Sequence, residues 1–457
     1  MVIPFYILFI FYIVFAVYFA LKRNINMLLF FLIAIFCQNL ICIVVFNYVS
    51  ASTIKSFTLI KEMMLYLSIV FFLLASFKIK IHTKSKYFLF VSLYILAIIW
   101  NFFFSPAPIQ ARILVARFLV LPIICIGIGK SMILPTPMVP KLLRSILYFG
   151  IFLAISGIIE YKVGDSFWTN IGYSQYAIDI KGNTPWGLIN GVTANFYTYD
   201  FGPMLRRVVT HTADPLASAF LISLAFGIAT FKKSLNLKHK RFNFHTICWF
   251  VLAIICILTL SKAVFINMAI LMMIKLYYNK NIPKSISKLA YALFIGVIVI
   301  NVKKMIMGAD NSVAVHFNGF INGIMSSGLF GNGLGTAGAS ASMLAAADVE
   351  VAESFIGAMA VQIGAIGTIA FIGLMYQIIK KINENYQRSH NEFFLLCKAL
   401  FYGLLVSIFF SESSVTIMGT GIYFILLGIA TRKSWENEQT EGPHEQQCFS
   451  INNNSNL

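Results

Sequence analysis

Long apolar runs joined by short basic connectors set the pattern of this chain. The runs are about 17–25 residues long, the length needed to cross ~30 Å of hydrocarbon. They show no two-residue alternation, so helices, which satisfy their own backbone groups, are the predicted spanning form. About thirteen spans are predicted, give or take one. They lie at roughly 2–20, 27–48, 59–77, 87–104, 113–129, 145–160, 215–231, 246–260, 263–278, 289–302, 355–379, 393–410 and 415–430. The first starts at Met1 with no basic leader and no small-residue cleavage site, and reads as a span rather than a removable signal peptide. The predicted fold class is therefore an all-α polytopic membrane protein of about 12–13 transmembrane helices. A single membrane domain is expected over residues 1–433. The polar tail over 434–457, rich in Asn, Gln and Glu, is expected to be disordered and cytoplasmic.

Two segments break the pattern. Residues from about 161 to 214 and from about 303 to 353 are long and polar. Loops of that length are uncommon unless functional or disordered, and binding groups concentrate on loops held by a rigid scaffold. Lys and Arg in the short connectors alternate cleanly along the chain, as in Lys22 and Arg23, Lys130, Lys141 and Arg144, Lys380, Lys381 and Arg388. The positive-inside rule places these connectors in the cytoplasm and both long loops on the opposite face.

Composition agrees. Of 457 residues, 59% are hydrophobic and 11% charged, against roughly 25% charged in a soluble domain. The formal charge of +18 is mostly a topology signal: the basic residues are scattered at span ends and form no contiguous face for nucleic acid. Six of the seven cysteines fall in apolar spans without CxxC pairing, and read as small core residues rather than a disulfide or metal set. No His/Cys/acid grouping has zinc spacing, and no nucleotide-binding cassette is present. No cofactor is expected.

The chemistry-bearing residues sit in or beside the two loops. The first is rich in aromatics, among them Trp168, Tyr173, Tyr176 and Phe196. These read either as interfacial anchors or as a platform on which sugar rings stack. Arg206 and Arg207 are two adjacent guanidinium groups on the face that the positive-inside bias leaves poor in charge. Their forks match phosphate oxygens, while the bland alternative is snorkelling to lipid headgroups. His211 follows, then Asp214 before Pro215, a pair that reads as a helix start or as a glycan contact. Arg117 lies about one turn inside the fifth span, where a charge is either functional or paired with a neighbouring helix through Glu62 or Glu412. Lys262 occupies an outer turn. The second loop carries His316 and the stretch Gly331, Gly333 and Gly335, whose glycines suit close backbone approach to a ligand. Glu353, at the start of the eleventh span, reads equally as a helix-start acid or a general base.

These pieces resemble the bacterial O-antigen polymerase and ligase superfamily. The resemblance covers most of the chain. It rests on Arg206 through Pro215, on Leu258-Thr259-Leu260-Ser261-Lys262, on Gly328 through Gly335, and on Glu353-Ser354-Phe355 through Gly367. Members commonly have Ser-Arg where this chain has Ser261-Lys262, and many, ligases especially, have His-Asn where it has Glu353-Ser354. The resemblance implies a GT-C-like fold in the bacterial inner membrane with its active site at the periplasmic face. It implies a polyprenyl-pyrophosphate-linked oligosaccharide as donor, membrane lipids around it, and room for a chain-length regulator as protein partner. Arg206, Arg207, Arg117 and Lys262 would hold the pyrophosphate; Glu353, His211 or His316 would serve as base; Asp214 and the glycines would approach the glycan. The Glu in place of His leans toward a repeat-unit polymerase. A ligase transferring glycan to a lipid core, or a flippase for the lipid-linked oligosaccharide, are the alternatives.

Overall fold

The computed structural model describes residues 2–76, 86–180, 182, 187–199, 204–231, 242–279, 283–285, 288, 292, 296, 311–338, 341, 354–432 and 435. Six long helices open the chain: α1 (Val2–Lys22), α2 (Ile25–Val45), α3 (Ala51–Ser76), α4 (Lys86–Phe103), α5 (Ile109–Ser131) and α6 (Val139–Val163). Two short ones, α7 (Asp165–Asn170) and α8 (Tyr173–Asp179), begin the first loop. Then come α9 (Pro215–Thr230), α10 (Phe242–Leu258), α11 (Lys262–Tyr278), α12 (Asn311–Met325), α13 (Phe355–Ser389), α14 (Glu392–Phe410) and α15 (Gly421–Ala430). Among the described residues, eight helices, α1–α6, α13 and α14, are long and apolar enough to cross a membrane. The protein is an all-α, multi-pass membrane protein.

Twelve of the predicted spans coincide with helices; the segment 289–302 lies almost wholly outside the described residues. Several starts differ from the predicted ones, and two of the differences have a plain physical reason. α3 begins at Ala51 rather than near 59, because Ser52, Thr53, Lys55, Ser56 and Thr58 dilute the hydropathy of its first turns without preventing the helix. The last predicted span, 415–430, is helical only from Gly421: residues 412–414 form a 3₁₀ turn, and Thr416 and Thr420 tie the following turn through their side chains. α15 is left with ten residues, all of them buried. It is an internal helix packed along α5.

Burial separates the centre from the rim. α1 exposes Ile3, Ile10 and Phe11 and buries a narrow stripe, Phe5, Tyr12, Ala16 and Ala20, against α3. That one-sided burial belongs to a helix with lipid on its other faces. α9 is buried on nearly every residue, between α6, α10 and α11. Cys42, Cys125, Cys248, Cys256 and Cys397 are buried in these helices. Trp435, which the sequence assigns to the tail, packs on Phe393 and Phe394 of α14 and donates from its indole to the Ile429 carbonyl at 3.0 Å.

Candidate functional site

The first loop folds on its own aromatic core. Trp168, Tyr173 and Phe196 are fully buried and Tyr176 nearly so, with Trp168 edge-on to both Tyr173 and Phe196 at centroid distances of 5.4 and 5.8 Å. These rings are neither a sugar platform nor interfacial anchors; their faces are covered by one another. Two short antiparallel pairs complete the loop: β1 (Leu188–Ile189) with β2 (Val192–Thr193), and β3 (Tyr197–Thr198) with β4 (Leu205–Arg206).

A charged cluster joins this cap to the end of α6. Glu160, buried on the last turns of α6, accepts from the Arg206 guanidinium, from the Trp168 indole at 2.7 Å and from the Val209 amide at 3.3 Å. Arg206 Nε donates to Asp165 Oδ1 at 2.8 Å, and the Tyr197 hydroxyl donates to the other Asp165 oxygen. Burial alone would lower the Arg206 pKa, but its bonds to Glu160 and Asp165 raise it. Burial and the bond to Asp165 push the Tyr197 phenol up. The Arg206 side chain is 13% exposed. Its Nε and one terminal nitrogen bond the protein's own carboxylates, which makes it a clamp, while Nη1 is buried with no hydrogen-bond partner among the described residues. Nothing in the sequence pattern tied Glu160 or Asp165 to Arg206, since Glu160 lies at a predicted span end.

The segment after Arg206 docks on the α10–α11 turn, with the Val208 amide donating to the Leu258 carbonyl at 3.2 Å. Half-buried Arg207, one residue before Val208, and half-buried Lys262, the first residue of α11, are thereby brought to one end of the bundle. The chain then turns tightly. Thr210 and Ala213 adopt left-handed φ values of 58° and 51°, a region that L-residues, and β-branched ones above all, rarely occupy. Ser218 holds the turn by bonding to the Val209 carbonyl and to the hydroxyls of Thr210 and Thr212. His211 lies nearly parallel to Phe36 at 5.2 Å and beside Phe152 at 5.9 Å, and burial lowers its pKa. Asp214 is the N-cap of α9, accepting from the Leu216 and Ala217 amides at 2.9 and 3.2 Å; the helix-start reading accounts for it.

Arg117 pairs with Glu62 of α3 through two nitrogens, the closest contact being 2.6 Å. It therefore has the neighbouring-helix partner that its position within a span calls for. The Arg117 side chain is nonetheless 38% exposed.

The glycines of the second loop fill a break in α13. Gly364 is non-helical, at φ 73° and ψ −179°. In an unbroken helix the Ala365 and Ile366 amides would donate to the Val361 and Gln362 carbonyls. Here they donate to the carbonyls of Gly328 and Leu329, at 3.1 and 3.3 Å, while Asn332 and Gly333 supply the amides that Val361 and Gln362 accept, at 2.8 and 3.2 Å. The loop replaces both halves of the missing helical bonds. A Cβ on Gly331 would lie 2.5 Å from the Gln362 oxygen, one on Gly333 2.6 Å from Ser105 Cα, and one on Gly335 2.9 Å from Ala111 Cβ. The close approach of these glycines is made to the protein's own backbone at Gly331 and Gly333 and to alanine side chains at Gly335. Asn101 and Ser105, at the end of α4, bind the same loop at the Phe330 and Leu334 carbonyls, at 2.7 and 2.6 Å.

Both loops are tied to the segment 411–420, the first through Asn39 of α2 and the second directly. Asn39 of α2 donates to the Thr212 carbonyl of the first loop and lies 3.7 Å from Met418 Sδ. In the same segment, Glu412 presents its carboxylate to Gly338 of the second loop, where a Cβ would stand 2.9 Å from Oε2. Glu412 is thus a half-buried acid, in the connector that hydropathy leaves between the spans 393–410 and 415–430. His316 lies half-buried on α12, which packs on α13 and α14. Glu353 lies outside the described residues. The N-cap of α13 is its neighbour Ser354, buried, which accepts from the Gly357 amide at 3.1 Å.

Compared with protein-family models and with curated proteins, the chain matches none.

Proposed function

We propose that this protein is a repeat-unit polymerase of a surface polysaccharide, O-antigen or capsule, of GT-C-like fold in the bacterial inner membrane. It would transfer a polyprenyl-pyrophosphate-linked glycan onto an acceptor repeat unit at the periplasmic face. The observation that carries this reading is the convergence of two polar loops, through Asn39, Met418, Glu412 and Gly338, on one short segment at one end of a membrane bundle. Two extended substrates need such a shared mouth.

The chemistry asks little more of the protein than placement and charge. The acceptor hydroxyl oxygen bonds to the anomeric carbon of the donor as the bond from that carbon to the pyrophosphate oxygen breaks. The polyprenyl pyrophosphate leaves with the electron pair, and a base takes the hydroxyl proton. Preorganised cations stabilise the charge that develops on the leaving group. Half-exposed Arg117, with Arg207 and Lys262, serves that role; Arg206 acts by holding the cap. Glu412 joins Glu353, His211 and His316 as a candidate base, within reach of both loops.

One observation favours a second reading. Helices broken within the membrane are common in transporters, and α13 breaks at Gly364. The freed backbone groups there are satisfied by the glycine loop rather than left open to a passenger, which supports surface chemistry over passage. Deletion of the gene followed by gel analysis of surface polysaccharide tests the proposal. A single repeat unit on the lipid core is the expected result. Complete loss of attached glycan would instead point to a ligase or a flippase.

A further inference from the structure

A cleft of about 410 Å³ opens at the opposite end of the bundle, between α11 and α14. Its floor is apolar, with Met273 and Ile274, and its rim is aromatic, with Tyr277, Tyr278 and Tyr402. One cation enters it. Lys398 Nζ donates to the Tyr278 hydroxyl at 3.0 Å and lies 5.3 Å from that ring's centroid. Among the described residues no carboxylate pairs with it. The contrast is one helical turn away, where Lys275 is neutralised by Glu392 at 2.7 Å. A lysine six residues inside an apolar helix normally has a partner. A phenol and a ring face satisfy one of its three donors and leave its charge uncompensated.

We propose that the cleft binds the headgroup phosphate of an anionic glycerophospholipid, with Lys398 on the phosphate and an acyl chain along Met273 and Ile274. The setting selects that ligand. The cleft lies where α11 ends, with Tyr278 against Tyr386 of α13, and the last turns of α13 carry Lys380, Lys381 and Arg388, the basic end of the bundle. Basic pockets between transmembrane helices on that side take anionic headgroups. The tyrosine rim suits the headgroup level, where amphipathic rings settle. The volume is that of a small-molecule site, enough for a headgroup and the first methylenes. The inference does not depend on the polymerase reading, since it uses no residue of the outer loops.

The test uses the full-length protein in nanodiscs or detergent, with bound lipid counted by native mass spectrometry. Phosphatidylglycerol, phosphatidylcholine and a polyprenyl monophosphate are the probes. Phosphatidylglycerol should be retained about 10-fold more tightly than phosphatidylcholine, and Lys398→Gln should lose that preference, as expected for one charge-assisted contact. Lys398→Arg should keep it. Tyr277→Ala, at a residue 61% exposed and so harmless to folding, should weaken phosphatidylglycerol about 3-fold and gives a reading even if Lys398→Gln fails to fold. Equal retention of the two phospholipids, an unchanged preference in Lys398→Gln, undiminished phosphatidylglycerol retention in Tyr277→Ala, or tighter retention of the polyprenyl phosphate would overturn the proposal.

Discussion

Arg206 donates to Glu160 across 46 positions of sequence, and the same Glu160 oxygen accepts the indole of Trp168. One buried carboxylate thus ties the end of α6, the aromatic core of the cap and strand β4 together. Removing one partner of a buried ion pair strands the other and costs about 3–5 kcal/mol. Arg206→Ala should therefore lower the thermal midpoint of the purified protein, and Glu160→Gln on top of it should recover part of the loss. A variant that folds as tightly as the parent but makes no polymer would instead put Arg206 back on the substrate.

The glycine loop gives a sharper stability test. Gly331→Ala must hold φ 86° and fit a Cβ 2.5 Å from a carbonyl oxygen. The two effects together should destabilise by about 2–4 kcal/mol. Gly328→Ala is the control: its Cβ would meet nothing closer than 4.0 Å, and its effect should stay within about 0.5 kcal/mol. Chemical or thermal unfolding of the two variants side by side reads the difference.

Arg117 should matter for rate more than for folding, because its side chain is 38% exposed. Arg117→Ala should cut polymer formation by about 10- to 150-fold, the loss of one charge-assisted contact felt at the transition state. Arg117→Lys should restore only part, since an ammonium cannot supply the bidentate fork. Normal polymer in Arg117→Ala at normal protein level would leave only the ion pair with Glu62.

His211 predicts a pH dependence. Burial lowers its pKa below the usual 6.5 of histidine, so the folded protein disfavours its charged form. The unfolded chain then binds more protons as pH falls through 6.5, and stability should drop from there toward the lower folded value. Above 6.5 the residue should contribute no pH dependence. His211→Phe keeps a ring beside Phe36 and Phe152 and should flatten that part of the pH–stability curve. If polymer formation survives in this variant, His211 is not the base.

The membrane architecture was legible because hydropathy reports burial in lipid directly, and the helix-start reading of Asp214 held because Asp before Pro is a local signal. What escaped was everything made by distant pairing. Trp168, Tyr173 and Phe196 look in sequence like surface aromatics, since only the fold reveals that they cover one another. Gly331 advertises close approach but not to what, and its partner, the break at Gly364, lies within an apolar run. Arg206 and Arg207 are equivalent in sequence; only the placement of Glu160 and Asp165 singles out Arg206 as the clamp. Hydropathy could not detect the shortness of α15 either, because a ten-residue internal helix and the end of a span are equally apolar.

The most direct test of the polymerase reading is an assay with purified full-length protein and lipid-linked repeat units in vesicles. A ladder of chains growing one repeat at a time, with one polyprenyl pyrophosphate released per step, is the predicted result. Glu412→Gln and Glu353→Gln, assayed in the same way, should identify the base by loss of the ladder at unchanged fold. Repeat units that stay single, whether moved across the bilayer or transferred only to a lipid core, would contradict it.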